Sequence, residues 1–197
     1  MTAIPPDKAF AMMATGASER TVDQELLGRS VDQLKHTKAG RGIARDIASR
    51  HISVKVVSDV PSNSAAAGAW DPATSTIWVR RDVLLDPRAG AALLAHEGTH
   101  ARDEHRLRVR QWHELTRMPV DATREGGAFT PFTASHSRGQ DIEDFAVWTE
   151  VNAYRTEARV QRELGQRPDG LAATSSGGLR TRQQTADAVR ADPLYAR

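Results

Sequence analysis

Apolar positions in this chain fall into short periodic runs separated by stretches rich in Gly, Pro and Ser. Leu26, Leu27, Val31 and Leu34 recur at helical spacing, and Thr21 or Asp23 stands where a cap would open a helix running to about Lys35. Gly40 and Gly42 interrupt the pattern, and Ile43, Ala44 and Ile47 then predict a second helix over 42–50. Residues 52–57, Ile-Ser-Val-Lys-Val-Val, alternate and are β-branched, which predicts a strand. A loop over 58–68 and a turn over 69–74 lead to a second strand over 75–80. Asp86-Pro87 marks a helix start, and an apolar run from Ala91 to Ala95 carries that helix on to about Val109. Residues 113–140 mix Gly, Pro, Thr and Ser, which predicts a long loop able to act as a lid. A long helix over 141–164 follows and is closed by Gly165; a short helix over 181–190 ends the periodic pattern. The expected class is α+β: a helix-dominated domain with a small β-sheet packed against the helix that starts at Pro87. That domain spans 20–165, between a poorly ordered N-terminal segment (1–19) and a Gly/Ser-rich C-terminal segment with a short helix (166–197).

The chemistry concentrates in Ala95-His96-Glu97-Gly98-Thr99-His100. On a helix, residues i and i+4 share a face, so His96 and His100 can address one metal ion. Leu93 and Leu107 lie within about 60° of that face at 100° per residue, so the imidazoles are expected to look inward, where buried polar rings need partners. Neutral imidazole suits zinc, and two His with one further protein ligand leave a position open for water. Glu97 sits about 100° round the helix from His96, beside the ion rather than on it, where it can take a proton from metal-bound water as general base.

Composition narrows the donor set. The 197 residues include no Cys, so disulfides and thiolate zinc sites are excluded and a zinc ion must use His and carboxylate. Net charge is +2, and the basic residues, nearly all Arg, are interleaved with acids, so no nucleic-acid partner is expected. No apolar run reaches the length of a membrane span, and the patch from Ala9 to Ala14 is too short for a secretory signal. The expected location is cytoplasmic, or exported without a cleaved signal peptide.

A third ligand must come from another element. Glu104 shares the His face but lies about 12 Å along the axis from His96, too far to join both His on one ion. A third His in the metzincin arrangement would need position 106, which is Arg106, and a Gly at 103, which is Asp103. On the predicted helix over 141–164, Glu143, Glu150 and Glu157 share one flank of the apolar face. Glu150 is mid-helix and followed by Ala153, whose small side chain lets two helices approach closely. Periodicity nominates the flank and does not choose between Glu150 and Glu157. Tyr154 is the first candidate for a donor to a developing oxyanion, with His113 and His136 as further ones. The 75–80 strand could pair with an extended substrate, and Arg80 and Arg81 beside it could favour acidic substrate residues.

His96-Glu97-x-x-His100 with downstream Glu150-Val151-Asn152-Ala153-Tyr154 resembles the gluzincin class of zinc metallopeptidases, which take their third ligand from a Glu on a later helix, often within E-x-x-A. The upstream order of a helix (42–50), a strand (52–57) and an edge strand (75–80) is similar to that of small, leaderless effector-type zinc peptidases of pathogenic bacteria. The resemblance covers roughly 38–165. It implies Zn2+ held by His96, His100 and Glu150, and hydrolysis of a protein or peptide substrate. The chain departs from the thermolysin-like pattern, because Thr149 precedes Glu150 and Tyr154 stands where an Asp would support a ligand; Asp103 is a possible substitute. Two other readings use the same residues: a non-catalytic zinc-containing binding protein, and a zinc amidase acting on cell-wall peptide.

Overall fold

The computed structural model describes residues 19–61, 66–117 and 138–193, with side chains described over 22–61, 66–106 and 146–193. Helices α1 (Glu19–His36) and α2 (Lys38–Ser49) precede strands β1 (Ser53–Val57), β2 (Gly68–Asp71) and β3 (Thr76–Arg80). A 3-10 turn, Val83–Leu85, leads into α3 (Pro87–Arg117), followed by α4 (Arg138–Glu163) and α5 (Arg182–Ala191). The class is α+β and helix-rich, as expected.

Helix α3 is the axis of the molecule, packed by α1, α2 and α4 and by strands β2 and β3. It starts as the Asp86-Pro87 pair predicts. The Arg88 N–H donates to Asp86 Oδ1 at 2.9 Å, and Pro87 takes the first helical position, where a missing N–H costs nothing. Elements surround the first turns of α3, so Ala91, Ala92, Leu94 and Ala95 are all buried. Ala91, Leu94 and Ala95 pack with Leu27, Val31 and Leu34 of α1, Ile43 and Ile47 of α2, and Val54, Ile77 and Val79 of the sheet. Each such Leu, Ile or Val contributes about 1.5–3 kcal/mol by leaving water. This core surrounds the stretch from which His96 and Glu97 project.

The sheet order is β1-β3-β2. β3 is parallel to β1, with Ser53 opposite Thr76, and antiparallel to β2, with Trp70 opposite Ile77. Two expectations change here. Residues 69–74 are not merely a turn, because Gly68–Asp71 is a strand; the turn is confined to the residues after it, where Asp71 accepts from the Ala73 N–H and the Thr74 hydroxyl. The 75–80 strand cannot take an added strand, because β1 and β2 already occupy both its edges. β2 is the edge beside α3.

Other boundaries shift for local reasons. α2 begins at Lys38 rather than 42, with Thr37 as its N-cap accepting from the Gly40 N–H at 2.9 Å. Gly40 does not break the pattern but serves a close approach: a Cβ there would lie 2.4 Å from Leu34 Cδ1. Asp23 lies inside α1 and accepts two bonds from Arg81, each 2.8 Å, instead of capping the helix. α3 runs to Arg117 and α4 begins at Arg138, so the loop predicted over 113–140 is helical at both ends. The rest of that loop, 118–137, and with it the lid role and His136, lies outside the described residues, as do the His113 side chain and residues 1–18. The Gly165 that ends α4 has φ 74, the left-handed conformation expected of a helix terminator. Beyond it the chain folds back on α4, with the Gln161 side chain accepting from the Asp169 N–H and the Arg155 guanidinium bonding the Arg180 carbonyl. Among the described residues, no helix is long and apolar enough to cross a membrane.

Candidate metal centre

Three side chains from two helices converge at the centre of the α3–α4 contact. His96 and His100 project from one face of α3, with ring centroids 5.0 Å apart, and Glu150 reaches them from α4. His96 Nε2 lies 3.6 Å from Glu150 Oε2, and His100 Nε2 lies 3.5 Å from Glu150 Oε1. Both separations exceed an ordinary N–H···O bond. They match the edge of a tetrahedron, about 3.3–3.6 Å, spanned by two ligands each about 2.0–2.2 Å from one ion. The donor set of two imidazoles and a carboxylate suits a first-row divalent metal. The three sequence-predicted ligands are thus brought together.

Glu157, two turns beyond Glu150 on α4, does something else. Its Oε2 lies 2.9 Å from His96 Nδ1, the ring nitrogen that faces away from Glu150. A carboxylate on Nδ1 fixes the tautomer and plane of the ring, so that Nε2 is presented toward Glu150. Tyr154, between the two carboxylates in sequence, packs edge-on against His96, with centroids 4.6 Å apart and planes at 81°. Gly170 backs the tyrosine ring: a Cβ there would sit 3.3 Å from Tyr154 Cδ1. Asp103, the possible substitute support, instead accepts from Asn152 Nδ2 at 2.7 Å, and Asn152 Oδ1 accepts from Arg182 at 2.7 Å.

Glu97 is 6% exposed, with the Trp70 main-chain N–H donating to its carboxylate. Burial pushes its pKa up to about 7, with Glu150 and Glu157 adding to the rise and His96 opposing it. Burial also disfavours the charged form of His96, but the nearby Glu150 carboxylate, the bond to Glu157 and the charge of Glu97 outweigh this and hold its pKa well above the usual value. His100, buried beside the charged His96, is pushed down to about 4.

The centre opens to one side on a cleft of about 470 Å³, bounded by β2 at Gly68, Ala69 and Trp70 and by Thr149 and Glu150 of α4. The Trp70 indole N–H donates to Glu104 at 2.6 Å, which fixes the indole across the cleft wall. Glu104 is therefore a wall residue rather than a ligand. Sequence reasoning missed β2, Trp70 and the support given by Glu157. The first two carry no periodic signal, and the third was visible only as one of two candidate ligands. Arg80 and Arg81 do not reach this cleft: Arg80 pairs with Asp82 at 2.7 Å, and Arg81 with Asp23.

No family model, curated protein or solved structure matches this chain. Its function is therefore argued from its own residues.

Proposed function

We propose that this protein is a zinc metallopeptidase of gluzincin type, hydrolysing a peptide bond of a protein or peptide laid along the edge of β2. The observation that supports this is one constellation: three side chains whose donor atoms lie within 4.8 Å of one another, a buried carboxylate beside them, and a cleft walled by a strand edge. His96, His100 and Glu150 would hold the zinc. Zinc, when bound, supplies Lewis acidity and makes water acidic enough to ionise near neutral pH. Glu97 accepts the proton that water gives up and passes it to the departing amine. Its bond from the Trp70 amide aims that carboxylate across the cleft floor. Glu157 and the ring of Tyr154 hold the His96 imidazole in plane; Tyr154 packs on His96 rather than lining the cleft, which supports a positioning role.

The edge of β2 supplies the means of holding an extended chain. The Arg80 N–H donates to the Ala67 carbonyl at 2.9 Å, so Ala67 and, by alternation, Ala69 face β3. Gly68 and Trp70 then turn their main-chain groups outward, and the Trp70 amide reaches Glu97 for that reason. The outward groups of Gly68 are placed to bond an added strand, which delivers a scissile carbonyl beside His96 and Glu97. Gly68 is required there: a Cβ would lie 2.9 Å from the Trp78 carbonyl oxygen and 3.1 Å from Leu93.

The test is Glu97→Gln. The variant is expected to retain zinc, by elemental analysis, and to lose about 10²–10⁴-fold in turnover of whichever member of a mixed peptide library the wild type cleaves. Near-normal turnover in the variant, or wild-type cleavage that survives complete chelation, would overturn the proposal.

A further inference from the structure

The face of α4 turned away from the metal centre carries a second feature. Arg155, Arg159 and Arg162 recur at i, i+4 and i+7, one stripe of the helix, and Arg159 stands nine residues, about 180°, round from Glu150. Arg180 and Arg182, leading into α5, join the stripe from the side. Arg155 donates to the Arg180 carbonyl at 2.6 Å, Arg180 to the Leu171 carbonyl at 3.3 Å, and Arg182 to the Asn152 side-chain oxygen at 2.7 Å. These acceptors are neutral and orient three of the guanidinium groups, although the charge of Arg182 also acts on the nearby Asp103. Several arginines elsewhere are matched with acids, Arg29 with Glu25, Arg80 with Asp82, Arg81 with Asp23 and Arg102 with Asp46, while Arg167 bonds the Ser175 carbonyl. None of the five arginines of the stripe forms an ion pair with a carboxylate among the described residues. The groups feel one another: besides burial, the charges of Arg159 and Arg182 lower the proton affinity of Arg155. Trp148, 40% exposed, lies on the same stripe two turns before Arg155, which a purely solvated face does not require.

We infer that this arginine stripe, with Trp148 at its end, is a docking surface for an acidic segment of a partner protein. Like charges held together by a fold repel, and an anionic partner removes that repulsion on binding. The planar guanidinium groups of Arg155 and Arg180, already oriented by main-chain oxygens, are suited to carboxylates, which such groups bind in pairs of bonds. The flanking indole fits an apolar residue within the acidic segment. A nucleic acid is the less fitting anion, because duplex binding typically engages on the order of 6–10 phosphates, more than the five guanidinium groups of this stripe. The inference concerns binding alone and stands apart from the metallopeptidase reading.

The experiment titrates the full chain into a fluorescein-labelled peptide of Asp and Glu residues around a central Leu and reads anisotropy. Binding that weakens steeply with added salt is expected. Arg159 and Arg162 are exposed and make no side-chain bond among the described residues, so Arg159→Glu/Arg162→Glu should keep its melting temperature and lose about tenfold or more in affinity. Arg159→Ala/Arg162→Ala, a milder change that keeps the test open if charge reversal harms folding, should lose about threefold or more. Affinity equal to wild type in a folded variant of either kind would overturn the inference, as would no binding at all. A DNA duplex of equal charge that displaces the peptide at lower concentration would also overturn it, in favour of a phosphate-reading surface.

Discussion

Glu150 and Glu157 are two turns apart on α4 and meet the same imidazole from opposite sides. Glu150 faces His96 Nε2 and His100 Nε2 together, whereas Glu157 touches only His96 Nδ1. A ligand and a supporting carboxylate predict different losses. Glu157→Gln keeps a hydrogen-bonding partner for Nδ1 but not its charge, and is expected to weaken zinc binding by about 10–100-fold. Glu150→Ala removes a ligand and should weaken it further. Competition titration against a chromophoric chelator ranks the two, and a larger loss in Glu157→Gln would exchange their roles. Asp103 offers a test free of the metal. It is 3% exposed, and burial raises its pKa above 3.8 against the opposing bond from Asn152 and the charges of Arg106, Arg102 and Arg182. The fold therefore favours the protonated acid. The contribution of Asp103 to stability is greatest below the unfolded pKa and declines as pH rises through the folded one. Asp103→Asn, which mimics the protonated form, should gain stability relative to wild type as pH rises from about 4 toward neutrality. Urea denaturation across that range checks it, and a relative loss with rising pH would contradict the assignment.

At the scale of elements, the first variable residue of the motif decides how closely two helices meet. Gly98 faces α2: a Cβ would lie 2.3 Å from Ile43 Cγ2 and 3.1 Å from Ile47 Cδ1. Gly98→Ala is expected to cost about 1–3 kcal/mol through overpacking and to lower the melting temperature by several degrees, even though Ala favours helix. An unchanged melting temperature would mean that α2 yields freely. The packing also explains what could be read before folding was known. Among the described residues, the five helices and two of the three strands were legible because burial on one face leaves a period, as in Leu27, Val31 and Leu34 or in Ile77 and Val79. Gly68–Asp71 was not. Four residues are too few for a period, and Gly, Ala and Asp are poor strand formers held there by β3 and α3. His96, Glu97 and His100 were legible because their geometry is local to one helix. Choosing Glu150 over Glu157 depends on how far α4 slides along α3, which no spacing within α4 encodes.

At the scale of the molecule, the candidate centre joins elements far apart in sequence. His96 and His100 come from the central helix and Glu150 from α4, which in turn carries the C-terminal segment through Gln161, Arg155 and Asn152. An ion held by these three side chains binds the folded chain and has no assembled site in the unfolded one, so binding should appear directly as stability. At free zinc about 100 times the dissociation constant the gain is about 2.7 kcal/mol, and for a chain of this size each kcal/mol raises the melting temperature by about 2–4 °C. Thermal melts of the wild type should therefore move up by roughly 5–11 °C between chelated and zinc-loaded samples, and the rise should grow with the logarithm of free zinc. His96→Ala should melt at the same temperature in both, since one lost ligand leaves His100 and Glu150 without a third partner. A wild-type melting temperature indifferent to zinc would remove the metal from this account, leaving His96 held by its bond to Glu157.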